Sequence, residues 1–420
     1  MKDKNNIPQG YKNSPVGIIP QEWEIKTFGE LGSTLSTNTL SRDKLNDMSG
    51  YALNIHYGDV LVKYAEVLNC SEANIPWINI EYSADNLGVE LENGDVIISD
   101  TAEDYSVGKA TELQGIHNTK VFSGLHTIAY RTNKNTFAPR FLGYYFNSSI
   151  YRKQLYPLIQ GIKVYSISKS AISNTKLALP PLAEQKKIAE VLSAWDDAIE
   201  KQSKLIEKLE LRKRGLMQRL LTGRTRLPGF TESWKQVKLG EIFSERNEIR
   251  CENLPLLSIT SDRGVILQSE SEKKDISNDD KSKYKRICPN DIGYNTMRMW
   301  QGRSALSKIE GIVSPAYTIV TLKENNDVFF LSELIKVPRV VYNFWAHSQG
   351  LVNDTLNCKY HDFSQVKVEV PSYVEQQAIA EVLTSADKEL ENHRKKLEAL
   401  RQQKRGLMQQ LLTGKTRVKI

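Results

Sequence analysis

No apolar run in this 420-residue chain approaches the roughly 18 residues that a membrane-spanning helix needs. The N-terminal stretch MKDKNNIPQGYKNSPVG has a charged start but no apolar core, which predicts no secretion signal and a cytoplasmic protein. The four cysteines (Cys70, Cys251, Cys288, Cys358) form no CxxC pair. That scatter argues against structural zinc and suits a reducing compartment. The six histidines are equally dispersed and no HExxH pattern occurs, so no metal site is expected.

Catalytic motifs are missing as well. There is no GxGxxG to cradle a cofactor such as S-adenosylmethionine, no Asn/Asp-Pro-Pro-Tyr/Phe motif of an amino-methyltransferase, and no GxSxG or Cys/His arrangement. LLTGKTR at 411–417 contains GKT, but a phosphate loop needs glycine where Gln409 stands. The stretch reads as a helix C-cap followed by a basic tail. Acidic pairs such as Asp196-Asp197 and Asp279-Asp280 read as solvated faces. A binding protein is expected rather than an enzyme. Charge is a mild guide: 57 basic against 50 acidic residues give a net +7, which permits nucleic-acid binding without demonstrating it.

What the chain does have is repetition. Residues 184–226 and 375–417 align without a gap at an offset of 191, with 24 identities in 43 positions. A second echo pairs Ile19–Ser33 with Phe230–Ser244 at an offset of 211, matching Trp23 with Trp234, Gly29 with Gly240 and Glu30 with Glu241. The two tryptophans recur with the fold and read as core anchors. The unequal offsets make the first divergent segment about 20 residues longer than the second, consistent with two different ligands.

Glu184 to about Leu221 predicts a long helix, with Pro180-Pro181 before it and Gly223 after it. Its apolar seam runs through Ile188, Val191 or Leu192, Trp195, Ile199, Ile206, Leu209, Leu216 and Leu220. The second copy repeats it with Ile379, Leu383, Ala386, Leu390, Leu397, Leu400, Leu407 and Leu411. The spacing is close to 3.5 residues, that of a coiled coil. Both copies break the seam at matched places, Gln202 with His393 and Lys213 with Lys404. Polar residues at such positions fix register. The connection Thr222–Pro228 is short, so the second divergent segment sits at the C-terminal end of the first helix. The second helix must then run back, which predicts an antiparallel pair.

The divergent segments, 19–180 and 230–370, read as mixed α/β domains. Strand-like runs include Asp59–Val62, Asp95–Ser99, His126–Arg131, Ala316–Leu322 and Val366–Val370. NGDVIISD at 93–100 resembles PNDIGYNT at 289–296, and SGLHTIAYR at 123–131 resembles SPAYTIVTL at 314–322. LIQGIKVYSIS at 158–168 takes the place of AHSQGLVNDTLNCKY at 346–360. Candidate base-reading residues cluster near these landmarks. In the first segment they are Asp100, Thr101, Tyr105, Lys109, His126, Gln160, Lys163, Tyr165, Ser166, Ser168 and Lys169. In the second they are Asn295, Arg298, Trp300, Gln301, Arg303, Ser304, His347, Ser348, Gln349, Asn353, Asn357, Lys359 and Tyr360. Arginine can bond guanine bidentately, and Asn or Gln can bond adenine. Taken singly, each also reads as a solvated or turn-forming loop residue.

EQxxIAEVL at the start of each repeat and KRGLMQxLLTGxTR at its end resemble the conserved regions of type I restriction–modification specificity subunits. PPLAEQKKIAEVLSAWD is close to that family's central conserved region. GYKNSPVGIIPQEW and TRLPGFTESW resemble the lead into each target recognition domain, and PNDIGYNTMRMWQGRSALSKIEGIVSPAYTIV resembles the domain's skeleton. The resemblance spans essentially the whole chain. It implies an α+β architecture: two mixed α/β target recognition domains separated by a pair of long antiparallel coiled-coil helices, as a pseudo-two-fold tandem repeat. The expected division is an N-terminal arm at 1–18, recognition domains at 19–180 and 227–370, the central helix at 181–226 and the C-terminal helix at 371–420.

The family implies that each domain reads half of an asymmetric bipartite DNA sequence. The helices would set the spacer and dock two modification (methyltransferase) subunits, which join restriction (translocase/nuclease) subunits. S-adenosylmethionine, ATP and Mg are then expected on those partners, with no cofactor on this chain. A helix of roughly 38 residues is about 55 Å long, more than one DNA turn of about 34–36 Å. The alternatives are a coiled-coil scaffold with two protein-binding domains, or an orphan specificity subunit without active partners.

Overall fold

The structure is a computed structural model that describes residues 7–83, 85–260, 263–271, 277–350 and 355–419. It divides into two compact units. Unit 1 comprises 1–203 with 396–420, and unit 2 comprises 204–395. Each unit therefore contains one divergent segment, part of the first long helix and part of the second.

Unit 1 opens on a hairpin of Tyr11–Ser14 and Gly17–Pro20, followed by β1 (Glu24–Thr27) and β2 (Gly32–Leu35), then α1 (Tyr57–Val62) and β3 (Val67–Asn69). β4 (Val96–Ser99), the two-residue β5 (Thr101–Ala102), β6 (Ala110–Gln114) and β7 (Thr127–Thr132) follow. Helices α2 (Phe141–Asn147) and α3 (Ser149–Leu155), strand β8 (Tyr165–Ser166), helix α4 (Lys169–Ser173) and β9 (Lys176–Leu179) lead into α5 (Leu182–Leu220). The main sheet has the order β2-β7-β4-β6-β3, antiparallel except for the β6–β3 pair. All four residues of β4 are buried, as a central strand with both faces covered requires. β1 and β9 pair separately and close the domain where α5 begins.

The run Asp59–Val62 is helical, not a strand. His56 caps α1 by accepting the Gly58 N–H at Nδ1 (3.2 Å), and Asp59 lies in the first turn. Val60 is buried while Val62 is 86% exposed. One buried position in a short apolar run is too little to separate helix from strand by pattern.

Unit 2 repeats the plan. It contains β10 (Lys235–Lys238), β11 (Phe243–Arg246), β12 (Ile292–Asn295), β13 (Ser304–Leu306), β14 (Tyr317–Leu322), α6 (Val328–Leu334), α7 (Pro338–His347), α8 (Tyr360–Gln365), β15 (Lys367–Val370) and α9 (Tyr373–Leu411). Its sheet order β11-β14-β12-β13 matches β2-β7-β4-β6, and β10–β15 matches β1–β9. The longer unit 1 adds a four-stranded sheet built from Leu45–Asn46, Leu53–Ile55, Trp77–Ile78 and Val121–Ser123. The corresponding part of unit 2 holds two-stranded pairs among its described residues.

In each unit the two long helices run antiparallel. In unit 1, Ile188, Ala189 and Leu192 of α5 share a core with Met408, Leu411 and Leu412. Lys404 reaches Asp196 (2.5 Å), and Arg417, just past α9, grips Glu184 near the start of α5 with two bonds (2.6 and 2.9 Å). In unit 2, Leu220 and Leu221 share a core with Ile379, Ala380 and Leu383. Lys213 reaches Asp387 (2.5 Å), and Arg226 grips Glu375 (2.6 and 2.7 Å). The 191-residue offset carries each unit 1 pair onto its unit 2 equivalent. Every seam position from Ile188, Leu192, Trp195 and Ile199 through Ile206, Leu209, Leu216 and Leu220 is buried or half-buried. So are Ile379, Leu383, Leu390, Leu397, Leu400, Leu407 and Leu411.

Two expectations about charge change here. Asp196 is not on a solvated face. Its carboxylate accepts the Tyr144 hydroxyl (2.5 Å) as well as Lys404, and burial pushes its pKa up. The arginines of the two TGxTR tails are not simply basic surface. They neutralise carboxylates, Glu184 and Glu375, whose side chains are only 1% exposed. Gly223 and Gly414 cap the helices at φ +67° and +70°, so GKT is a helix terminus.

Glu112 of β6 offers a pH test of unit 1. It accepts the Arg140 (2.5 Å) and Gly143 (3.0 Å) backbone N–H groups and the Gln114 amide (2.9 Å). Burial nevertheless outweighs those bonds and pushes its pKa up to about 7. With a folded pKa above the unfolded one, its contribution to stability is full below about pH 4.5 and lost as pH rises through about 7. Glu112→Gln should therefore flatten the pH dependence of thermal unfolding, gaining about 3 kcal/mol on wild type across that window. Parallel stability curves for variant and wild type would refute the shift.

Candidate nucleic-acid interface

The candidate reading loops sit where the sheet ends. In unit 1, β4 runs into Asp100 and Thr101, and β7 is preceded by His126. The Thr101 hydroxyl bonds the Asp100 carboxylate (2.8 Å) and lies 3.4 Å from His126 Nδ1. His126 holds a left-handed φ of +56° and packs edge-on to Tyr57 (5.4 Å). β5 pairs with β8, placing Thr101 opposite Ser166. Gln160 and Ser166 exchange two backbone bonds (3.0 and 2.8 Å), which closes a loop over residues 161–165. That loop turns on Gly161 at φ +113°, where an added Cβ would come within 1.9 Å of the Val164 carbonyl oxygen.

Unit 2 builds the same device from different residues. Gln349 and Asn357 exchange two backbone bonds (3.0 and 2.8 Å), and Gly350 turns the loop at φ +151°. The Cys358 N–H bonds the Thr296 carbonyl (2.8 Å), as the Ile167 N–H bonds that of Asp100 (2.9 Å). The three paired sequence landmarks thus occupy equivalent places in the two units.

The candidates divide into two groups. Exposed and able to meet a ligand are Tyr105, His126, Gln160, Lys163, Ser166 and Lys169 in unit 1. In unit 2 the exposed group is Arg298, Gln301, Arg303, His347 and Lys359, with Trp300 half-buried beside them. The others are engaged structurally. Burial lowers the Lys109 pKa, and its ammonium donates to the Leu61 carbonyl (2.9 Å). Ser168 caps α4 by accepting the Ala171 N–H, and Asn295 accepts the Met297 N–H. The Tyr360 hydroxyl donates to the Phe243 carbonyl (2.8 Å), and the Gln349 amide is held by Asp362 (3.0 Å). Tyr165 is half-buried against Tyr105, ring centroids 4.8 Å apart. Ser304 and Asn357 each keep a buried side-chain oxygen without a hydrogen-bond partner among the described residues. Asn353 lies outside the described residues.

Sequence reasoning passed over the apolar loop residues. Ile162 is 92% exposed at the tip of the unit 1 loop, and Met297 is 49% exposed beside Arg298. Such side chains suit the thymine methyl group. Their signal was present: an apolar residue directly beside a turn glycine or an arginine has no core to join. No group of three or more His, Cys, Asp or Glu able to hold a metal occurs among the described residues.

The two units correspond to two matches of one family model. The model for the type I restriction modification DNA specificity domain matches residues 20–211 and again 231–402. The chain belongs to this family.

It is a specificity subunit, the non-catalytic DNA-recognition component of a type I restriction–modification system, with two recognition domains in tandem. Among its relatives is the provisionally named MjaX type I restriction enzyme specificity subunit of Methanocaldococcus jannaschii. It is 25% identical over 98% of this chain and 97% of its own length. The MjaVIII specificity subunit of the same organism is 27% identical over 62% of this chain and 66% of its own. Two solved structures share the fold. A chain from a type I system studied for its complex assembly and conformational transition has a TM-score of 0.58 at 16% identity, covering 95% of this chain and 99% of its own. The S subunit from M. genitalium has a TM-score of 0.52 at 15% identity, covering 98% of each. Neither alternative, scaffold or orphan, draws support from these matches.

Proposed function

We propose that each recognition domain of this specificity subunit reads one half of an asymmetric, bipartite DNA sequence. The observation that carries this is the recurrence of one loop frame with different residues: Gly161 between Gln160 and Ser166, tied to Asp100, in unit 1, and Gly350 between Gln349 and Asn357, tied to Thr296, in unit 2. Equal frames holding unequal side chains favour two unlike half-sites over a palindrome. In this reading α5 and α9 set the unspecified spacer and dock two modification subunits, which associate with restriction subunits. S-adenosylmethionine would be bound by the modification subunits, and ATP and Mg by the restriction subunits, in the cytoplasm. The segments 19–180 and 227–370 then act as exchangeable reading modules.

Lengthening the helices tests the spacer role. Because α5 and α9 pair in both units, the insertion must be made in both, one heptad after Ser203 and one after Lys395. Seven residues add about 10 Å, equal to about three base pairs. The methylated target should keep both half-sites and lengthen its spacer by about that amount. Altered half-sites with an unchanged spacer would refute the ruler role.

A further inference from the structure

Unit 2 carries a basic face that the reading loops do not account for. Two adjacent clefts of about 410 and 670 Å³ share Thr222, Arg224, Val337 and Arg339 among their walls. Arg214 and Lys336 line the larger cleft, and Lys367 the smaller. Lys336 is paired with Glu333 (2.7 Å). Arg214, Arg224 and Arg339 make no ion pair or side-chain hydrogen bond to another described residue. Among the described residues of the cleft walls, Glu369 is the one carboxylate. Three unneutralised guanidiniums on one surface repel one another and lower stability unless an anion joins them.

The surface continues along α7. Arg339, Tyr342 and Trp345 fall at three-residue steps on one side of this helix. Tyr342 is 62% and Trp345 44% exposed, their rings stacked at 5.6 Å and 28°. α7 then ends at His347, two residues before the Gln349 reading loop. The opposite side of α7 is fixed by Val340 and Phe344, buried in the core, and on its flank Val341 lies against Gly302, next to Arg303. The helix thus joins the reading loop at one end to the arginine cleft at the other, over about 15 Å.

Unit 1 keeps only part of this set, with Lys415 where Arg224 stands. The repeat places Arg405 at the position of Arg214, and Arg405 is paired with Glu398 (3.1 Å). Gln185 bonds the Ala138 N–H as Gln376 bonds the Asp327 N–H, and counting from that anchor Ile150 stands where Arg339 does.

From these observations we infer that Arg214, Arg224 and Arg339, continued by the Tyr342–Trp345 pair, form a DNA-backbone track beside the second half-site. It holds phosphates flanking the bases that the Gln349 loop reads. Continuity with that loop and the excess of unpaired positive charge select a polyanion as the occupant. The track positions the duplex and carries no base preference of its own. The inference rests on unit 2 being a DNA reader.

The test is a salt titration of the assembled modification complex on a mixed-sequence duplex, comparing wild type with Arg224→Ala/Arg339→Ala. Each lost phosphate contact lowers the slope of log affinity against log salt by about 0.9, so the double variant should lower it by about 2. Its affinity should fall on the order of tenfold at low salt, with the preference for the cognate half-sites unchanged. Both arginines are exposed, so thermal unfolding should match wild type. A wild-type complex that is itself insensitive to salt would refute the DNA-reader basis. A salt-sensitive wild type with an unchanged slope in the variant would overturn the track alone. Loss of modification subunits from the variant at an unchanged slope would mark the face as a protein interface and also overturn it.

Discussion

Replacing residues 230–370 with the corresponding domain of another family member should exchange one half of the recognised sequence and leave the other half and the spacer intact. The boundaries fall at natural seams. Gly229 turns the chain at φ +90° just before the segment, and β15 ends at Val370, where it pairs with Lys235 of β10. The incoming domain must still serve the helices. Phe330, Leu331 and Leu334 share a core with Leu220, Ile379 and Leu383, and the Asp327 N–H donates to Gln376 (2.9 Å). A donor with apolar residues at those positions keeps the packing while changing Arg298, Arg303 and the Gln349 loop. Discrimination at the exchanged half should shift by the full specific-over-nonspecific ratio, on the order of 10³ or more. Sequencing of the methylated sites gives the readout. A change in both halves would mean the two domains do not read independently.

Lys404→Ala should cost about 3 kcal/mol, whereas its repeat equivalent Lys213→Ala should cost about 1 kcal/mol or less. The lysine and its aspartate recur in both units, but their surroundings differ. Lys404 is 7% exposed, bonds both Glu66 (2.7 Å) and Asp196 (2.5 Å), and lies 5.1 Å over the Tyr144 ring. Removing it leaves two half-buried carboxylates side by side with no cation. Lys213 is 22% exposed and its partner Asp387 39%, so water takes up much of that loss. Burial already pushes the Asp196 pKa up, and loss of Lys404 removes the charge that opposes the shift. The penalty in Lys404→Ala should therefore shrink as pH falls and Asp196 takes a proton. Hydrogen exchange along the first half of α5 and the last turns of α9 measures the first variant, and the second half of α5 the other. Equal penalties for the two lysines would show that burial does not set their worth.

The long helices were legible because their evidence is periodic and repeated. Ile188, Leu192 and Leu220 recur as Ile379, Leu383 and Leu411, and the short Thr222–Pro228 connection fixed their direction. The sheet landmarks were legible for the same reason, since β4 and β12 share a pattern of punctuation. The run Asp59–Val62 misleads because its helix, Tyr57–Val62, has six residues, less than two turns of pattern. The roles of single polar residues were the least accessible. Asp196, Lys109 and Ser168 look like surface residues in the sequence. Their partners Lys404, Leu61 and Ala171 lie between 3 and 208 positions away, and only packing decides which way each side chain turns. The loop residues that face outward, Lys163, Arg298 and Arg303, are identifiable as exposed, but the base each meets depends on the DNA's path.

Mapping methylated adenines in a genome that carries this subunit with its modification partners decides the matter most directly. The expected result is a single bipartite motif with two unlike specified halves, a fixed unspecified spacer, and methylation in each half. A continuous motif, a palindrome, or methylation that disappears for neither half when residues 230–370 are exchanged would contradict two independent readers on a shared helical spacer.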